Sequence, residues 1–374
     1  MVENAVFYHP SYPSQRMKIA FLIQDISTEG GTERTTCCLA QELARRGHEV
    51  SVVSVFRNEP QPRYTAEGVA FIYLTHEAYT LRETVLARMK KAWSRRALVR
   101  SCKALQEADV IICQKIAASF MAWSAGFGHK SIACEHYRFN MYNAPIRRLR
   151  KRLYSHLRAV VTLTENDRKA FEQSGLRKVF CIPNMVSISP LPYQGEDSKR
   201  IVSVGRLTAQ KGYDLLLQAV ALIADQMEDY YIDIYGEGED RAALEAQCRK
   251  LGLTERVHFP GYCAQIETVY AGSAFYVMSS RFEGFPMVLL EAASSGLPIV
   301  SFDCPEGPAI LLKNGGGILV ERENVTALGQ AILTMIQNPA LRNKSHNESS
   351  AIIEPYQPEQ IGEKWEELFK NLSK

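Results

Sequence analysis

Short apolar, β-branched runs alternate with stretches of helical period along almost the whole chain. The runs stand at 18–23, 49–56, 69–74, 110–113, 130–134, 159–163 and 179–182, and then at 200–204, 230–235, 257–259, 275–278 and 298–301. Strands separated by helices imply parallel sheets joined by right-handed βαβ crossovers, so the expected class is α/β. At 374 residues the chain exceeds what a single core usually supports. Residues 183–198, rich in Pro, Ser and Gly and without clear period, read as the boundary between two doubly wound domains. Open α/β sheets bind ligands beyond the carboxyl ends of their strands, so two such sheets facing each other would enclose a cleft.

Hydrophobic content of 46% and charged content of 23% are those of a globular protein. The nine cysteines (37, 38, 102, 113, 134, 181, 248, 263 and 304) include no C-x-x-C pair. Their scatter argues against disulfides and structural zinc and favours a reducing cytoplasm. No apolar run approaches the roughly 20 residues that span a bilayer. Residues 1–16 lack the basic and apolar regions of a signal peptide and read as an irregular extension, or a misassigned start, ahead of Met17. Charge is divided unevenly: residues 1–185 hold 28 Lys and Arg against 16 Asp and Glu, and residues 186–374 hold 16 against 25. A basic half points to an anionic partner.

The densest chemistry lies at 279–292, where Glu283 and Glu291 flank what reads as a helix start. Pro286 suits the first helical position, and Gly296 followed by Pro298 suits a left-handed stop. Glu283 then sits on the entering loop, and Glu291 is expected to face outward from the second turn. Between them, Gly284-Phe285-Pro286-Met287-Val288 offers the free N–H groups and positive dipole end that suit a phosphate. Two carboxylates beside an anion cradle fit a nucleotide-sugar, with Glu291 for ribose hydroxyls and Glu283 for sugar hydroxyls. The spacing alone fits an ordinary buried helix with two solvated glutamates equally well.

Other motifs follow strand ends. Arg206 and Lys211 come just after the run at 200–204, where a guanidinium fork and an ammonium could hold a diphosphate through charge-assisted bonds of about 1.5–3 kcal/mol each; alone, such a pair is also a common solvated loop. Gly30 and Gly31 precede a helical pattern at 35–46 and would let backbone approach an anion, though most such pairs are only tight turns. Glu135 and His136 end a strand, and Tyr235-Gly236-Glu237-Gly238 follows another; each is also compatible with a plain surface turn. The stretch 145–158 has helical period, with Ile146, Leu149, Leu153 and Leu157 on one face and cations over the rest. It suits anionic lipid headgroups, or a core-packed helix with a solvated back. No aromatic–basic interleaving or binding module accompanies the charge, so nucleic acid is not expected.

The Glu283-x7-Glu291 segment resembles the Glu-x7-Glu motif of retaining glycosyltransferases of family 4, which have the GT-B fold. Gly205-Arg206 with Lys211-Gly212 is similar to the same family's Gly-Arg…Lys-Gly motif. The likeness runs from Met17 onward and implies two Rossmann-like domains, 17–185 for the acceptor and 186–357 for the nucleotide-sugar, with a last helix at 358–374 crossing back to the first. It implies that Arg206 and Lys211 hold the diphosphate, that Glu283 grips the sugar, and that His136 faces the donor sugar. Gly31 would lie against the diphosphate, Glu33 and Glu135 toward the acceptor, and Gly236, Glu237 and Tyr262 near the nucleotide. Residues 301–308 depart from the commonest family pattern and look more like a subset that uses UDP-activated hexoses and N-acetylhexosamines for surface polysaccharide and lipopolysaccharide.

The resulting expectation is a metal-independent, retaining transferase that moves a hexose or N-acetylhexosamine from a UDP-sugar to a lipid-linked or polysaccharide acceptor. No Asp-x-Asp stands between short strands to hold a divalent ion. The expected place is the cytoplasmic side of a membrane, held peripherally by the basic domain. A nucleotide-sugar epimerase, separable by product formed without acceptor, and a non-catalytic nucleotide-sugar-binding subunit remain as alternatives.

Overall fold

The computed structural model describes residues 16–28, 30–78, 85–305 and 307–373, and builds them around two parallel sheets. The first has the order β3-β2-β1-β4-β5-β6-β7, from β1 Lys18–Ile23, β2 Glu49–Ser54, β3 Val69–Tyr73, β4 Val110–Gln114, β5 Ser131–Glu135, β6 Ala159–Thr162 and β7 Val179–Cys181. The second has the order β10-β9-β8-β11-β12-β13, from β8 Arg200–Val204, β9 Tyr231–Tyr235, β10 Val257–Gly261, β11 Phe275–Met278, β12 Ile299–Asp303 and β13 Gly317–Glu321. In each sheet the strand order reverses beside the first strand, between β1 and β4 and between β8 and β11. These are topological switch points, where crossovers leave toward opposite faces and open a crevice at the strands' carboxyl ends.

Helices cover both faces, which is why the strands read as unbroken apolar runs. In β8, Ile201 packs with Leu216, Val220 and Ile332, while Val202 packs on the other side with Tyr270, Leu289 and Leu290. Only β13 escaped the sequence pattern. Three glycines lead into it, with Gly315 and Gly316 left-handed at φ 115 and 83. Gly317 is bare by necessity, because a Cβ there would lie 1.9 Å from the Ile299 carbonyl oxygen. A glycine-led strand carries little of the usual β signature.

Two compact units result: the chain through Ile182 together with Ile361–Lys374, and Pro183–Gln360. The division falls at the start of the 183–198 segment read as the boundary, because the linker joins the second unit, where Val186 is buried and donates its N–H to the Tyr356 carbonyl at 2.9 Å. The final helix, Pro358–Ser373, buries Ile361, Trp365, Leu368 and Phe369. It is tied to the first unit by Arg46 Nη1 to Glu366 Oε2 at 3.0 Å and by Arg158 Nη2 donating to the Leu372 carbonyl at 2.8 Å. Of the expected N-terminal extension, all but Arg16 lies outside the described residues. No described helix is long and apolar enough to cross a membrane.

Candidate active site

In the second unit the loop after β8 and the loop after β11 are clamped together. Gly212 caps the helix Tyr213–Ile223 in the left-handed conformation, φ 64, and a Cβ on it would lie 2.1 Å from the Ser279 carbonyl oxygen. Around that close approach, Ser279 Oγ donates to the Lys211 carbonyl (2.9 Å) and Gln210 Nε2 to the Phe282 carbonyl (3.0 Å). Arg281 grips both Asp214 carboxylate oxygens at 2.8 and 2.7 Å. The bonding from Arg281 holds the Asp214 carboxyl below its ordinary range. Arg281 stands within the 279–292 stretch, but its pairing was not read from the sequence, because Asp214 is 67 positions away.

The clamp brings Lys211 Nζ to 2.8 Å from Glu283 Oε1, with side-chain exposures of only 17% and 7%. The sequence reading assigned the two to different parts of a ligand; in this structure each neutralises the other. Arg206 is exposed on the same loop and, among the described residues, its side chain makes no hydrogen bond or ion pair. A free guanidinium thus stands five positions from an ammonium already set in place.

Two expectations for the following helix need correction. Its first residue is Met287, and Pro286 is the cap, pressed by Gly307, whose Cβ would lie 2.2 Å from Pro286 Cδ. The Met287 N–H donates to the Phe285 carbonyl and the Leu289 N–H to that of Pro286, so the anion cradle has fewer free donors than a bare helix start. Glu291 does not face outward. It is buried, accepting from Ser187 Oγ at 2.9 Å and Tyr270 OH at 3.4 Å, because these hydroxyls offer its carboxylate donors inside the unit. The stop at Gly296 is as read: φ is 74, with Leu297 N–H to the Ala292 carbonyl and Gly296 N–H to that of Ala293.

Gly284 and Phe285 are half-buried on the entering loop, and Met287 and Val288 are half-buried in the first turn. Gly236, at φ 138, passes so near β8's loop that a Cβ would meet the Gly205 carbonyl at 2.1 Å. Glu237 is held by Arg241 at 2.8 Å, and Tyr262, just past β10, is half exposed. Behind Glu283, burial pushes the Cys304 thiol up to about 12, the carboxylate adding to the effect.

In the first unit the helix after β1 starts at Gly31, four residues earlier than its apolar pattern, with Gly30 as cap. Glu33 therefore lies in the first turn, its Oε1 3.8 Å from Lys115 Nζ. His136 follows β5, and its Nε2 is 2.5 Å from Gln114 Oε1. Burial, reinforced by Lys115, pulls the imidazole down to about 3, so it is neutral at physiological pH. Glu135 is the main correction here. Its side chain points into the unit, paired with Arg150 Nη2 at 2.9 Å and accepting from Tyr154 OH, and burial raises its carboxyl despite the cation. Arg150 is itself fully buried, so the helix Ala144–Tyr154 has one cation on its core face rather than all on its back. Gln114 and Lys115 were missed; an apolar run ending in Gln-Lys is the only trace they leave in the sequence. Among the described residues no three His, Cys, Asp or Glu side chains converge as a metal cluster.

The model of the family described as Glycosyltransferase Family 4 matches residues 29–189, and that described as Glycosyl transferases group 1 matches residues 193–351. An uncharacterized glycosyltransferase of Haemophilus influenzae is 31% identical over 359 residues, covering 94% of this chain and 99% of the relative. The amylovoran biosynthesis glycosyltransferase AmsD of Erwinia amylovora is 28% identical over 367 residues, again covering 94% and 99%. Among solved structures, a mutant of TarM from S. aureus, in complex with Fondaparinux, alpha-GlcNAc-glycerol and UDP, superposes with a TM-score of 0.78 at 15% identity, covering 94% of this chain and 99% of that one.

Proposed function

The chain belongs to the family 4-like glycosyltransferases of GT-B fold, and from that membership we propose that it transfers a hexose or N-acetylhexosamine, with retention, from a UDP-sugar to a lipid-linked or polysaccharide acceptor in surface glycan synthesis. The observation that carries the reading is the Lys211–Glu283 pair at the second sheet's switch point, with Arg206 exposed on the same loop and, among the described residues, without a side-chain partner. A nucleoside diphosphate-sugar offers both partners something. The diphosphate takes Lys211 and Arg206, and the sugar hydroxyls take the carboxylate that Lys211 releases, so neither charge is left uncompensated. UDP in the S. aureus protein of the same fold supports the nucleotide, and amylovoran biosynthesis by the Erwinia relative supports the glycan.

In the transfer, the bond from the anomeric carbon to the departing phosphate oxygen breaks and one to the acceptor oxygen forms on the same face. The acceptor's proton passes to the leaving diphosphate. Arg206, Lys211 and the remaining free amides of the Pro286 helix start stabilise the growing negative charge. Two cations take the role a divalent ion would otherwise fill, which is the ground for proposing metal independence. His136, which the family likeness gives to the donor sugar, is neutral and would add no charge to it.

The test presents labelled UDP-glucose, UDP-galactose, UDP-GlcNAc and UDP-GalNAc in turn with a bacterial membrane lipid extract, with and without chelator. One donor should label the lipid phase equally in both conditions, and Glu283→Ala should lower transfer about 100-fold or more. Transfer that chelator abolishes and metal restores would refute the metal-free mechanism. UDP binding with no transfer would instead favour a non-catalytic subunit.

A further inference from the structure

Three non-glycine residues among those described have positive φ. Glu228 and Glu323 lie exposed in turns, where the strain has an obvious setting. Lys115, at φ 69, is different. It stands where β4 passes directly into the helix Lys115–Ser124, with no loop to absorb the change of direction. Glycine would hold this conformation without steric cost. The position instead carries a long cationic side chain, exposed by only 18%.

That side chain has a definite course. Its Nζ lies 3.8 Å from Glu33 Oε1 and 5.8 Å from the centre of the Tyr137 ring. The preceding residue, Gln114, holds His136 at 2.5 Å. One strand end therefore fixes two neighbours on two different elements: Glu33 in the helix after β1, and His136 after β5. The Glu33 carboxylate is folded so tightly against the cap that a Cβ on Gly30 would lie 2.3 Å from Oε2.

We propose that Lys115 is a positioning residue for the acceptor, its ammonium holding the Glu33 carboxylate where an acceptor hydroxyl can donate to it, and that the left-handed backbone is strain retained to aim it there. Backbone strain of this kind persists where the surroundings over-determine it, and it concentrates at functional sites. The inference rests on the glycosyltransferase reading above.

The experiment compares wild type with Lys115→Gly, Lys115→Arg, Glu33→Gln and the double variant Lys115→Gly/Glu33→Gln. Each is followed by thermal denaturation, by transfer as a function of lipid-extract concentration, and by hydrolysis of the UDP-sugar without extract. Lys115→Gly should melt no more than about 2 °C below wild type, because relief of strain offsets glycine's added freedom in the unfolded chain. Its transfer efficiency should fall about 10- to 100-fold through the acceptor KM, with hydrolysis of the donor within about twofold of wild type. Lys115→Arg should recover most of the loss, and the double variant should be no worse than the weaker single one, since Lys115 acts through Glu33. A wild-type acceptor KM in Lys115→Gly, or a melting point lowered by more than about 5 °C, would overturn the role and leave Lys115 idle or merely structural. A wild type that transfers from no donor would overturn the underlying transferase reading instead, and the proposal with it.

Discussion

Lys211 and Glu283 are nearly excluded from solvent and lie 2.8 Å apart. Removing one member of such a pair strands a charge in a poor solvent, typically at a cost of about 3–5 kcal/mol. A substrate that supplies both a phosphate and hydroxyls is one of the few events that can part them cheaply. His136 shows the opposite strategy, in which burial keeps a titratable ring uncharged. The unfolded chain takes up a proton on this histidine as the pH falls below about 6.5, and the native chain does not until about 3. Stability from this group is therefore complete above pH 6.5 and declines as acid is added, by at most about 1.4 kcal/mol per pH unit. The urea midpoint of wild type should drop more between pH 7 and pH 4.5 than that of His136→Gln. Equal drops would mean that the ring titrates normally in the folded protein.

At the scale of elements, the donor site depends on how two loops are pinned. The pin is Gly212, because the Ser279 carbonyl occupies the space of a Cβ and is backbone that cannot rotate away. Gly212→Ala should force the loops apart, lowering stability by about 1–3 kcal/mol and weakening UDP binding at least about tenfold through displaced Lys211. Calorimetric titration with UDP and a melting curve measure both; unchanged affinity would show that the clamp is not what sets the site. What could be read in advance follows the same division. The strands and the Gly296 stop were legible because period, glycine and proline act locally. The burial of Glu291 and Glu135, the Asp214–Arg281 brace and the strained Lys115 were not. Each depends on partners 15 to 104 positions away or on a backbone angle that a lysine does not advertise. Arg150 is the clearest case: a cation within a basic helix reads as solvated until Glu135 is found beneath it.

At the scale of the whole molecule, the uneven charge acquires a surface. In the first unit the rings of Trp93, Phe120, Trp123 and His156 follow one another at 6.1, 5.8 and 5.8 Å, with Arg96 over Trp93 at 4.3 Å. Trp93 is 47% exposed and Trp123 38%, unusual for rings of this size. Arg152 and Arg148, four and eight positions before His156, are exposed and, among the described residues, form no ion pair. Tryptophan beside arginine suits the boundary between lipid headgroups and acyl chains, where an amphipathic ring can bury one side. Each basic residue near an anionic surface contributes about 1 kcal/mol, attenuated by salt. The protein should therefore sediment with phosphatidylglycerol vesicles at low salt, far less with phosphatidylcholine alone, and release as salt is raised. Trp93→Ala/Trp123→Ala should weaken binding even at low salt, and Arg148→Gln/Arg152→Gln should mainly flatten the salt dependence. Equal binding to both lipids, or variants that bind like wild type, would exclude this face as the membrane contact and leave the basic half to a soluble anionic acceptor.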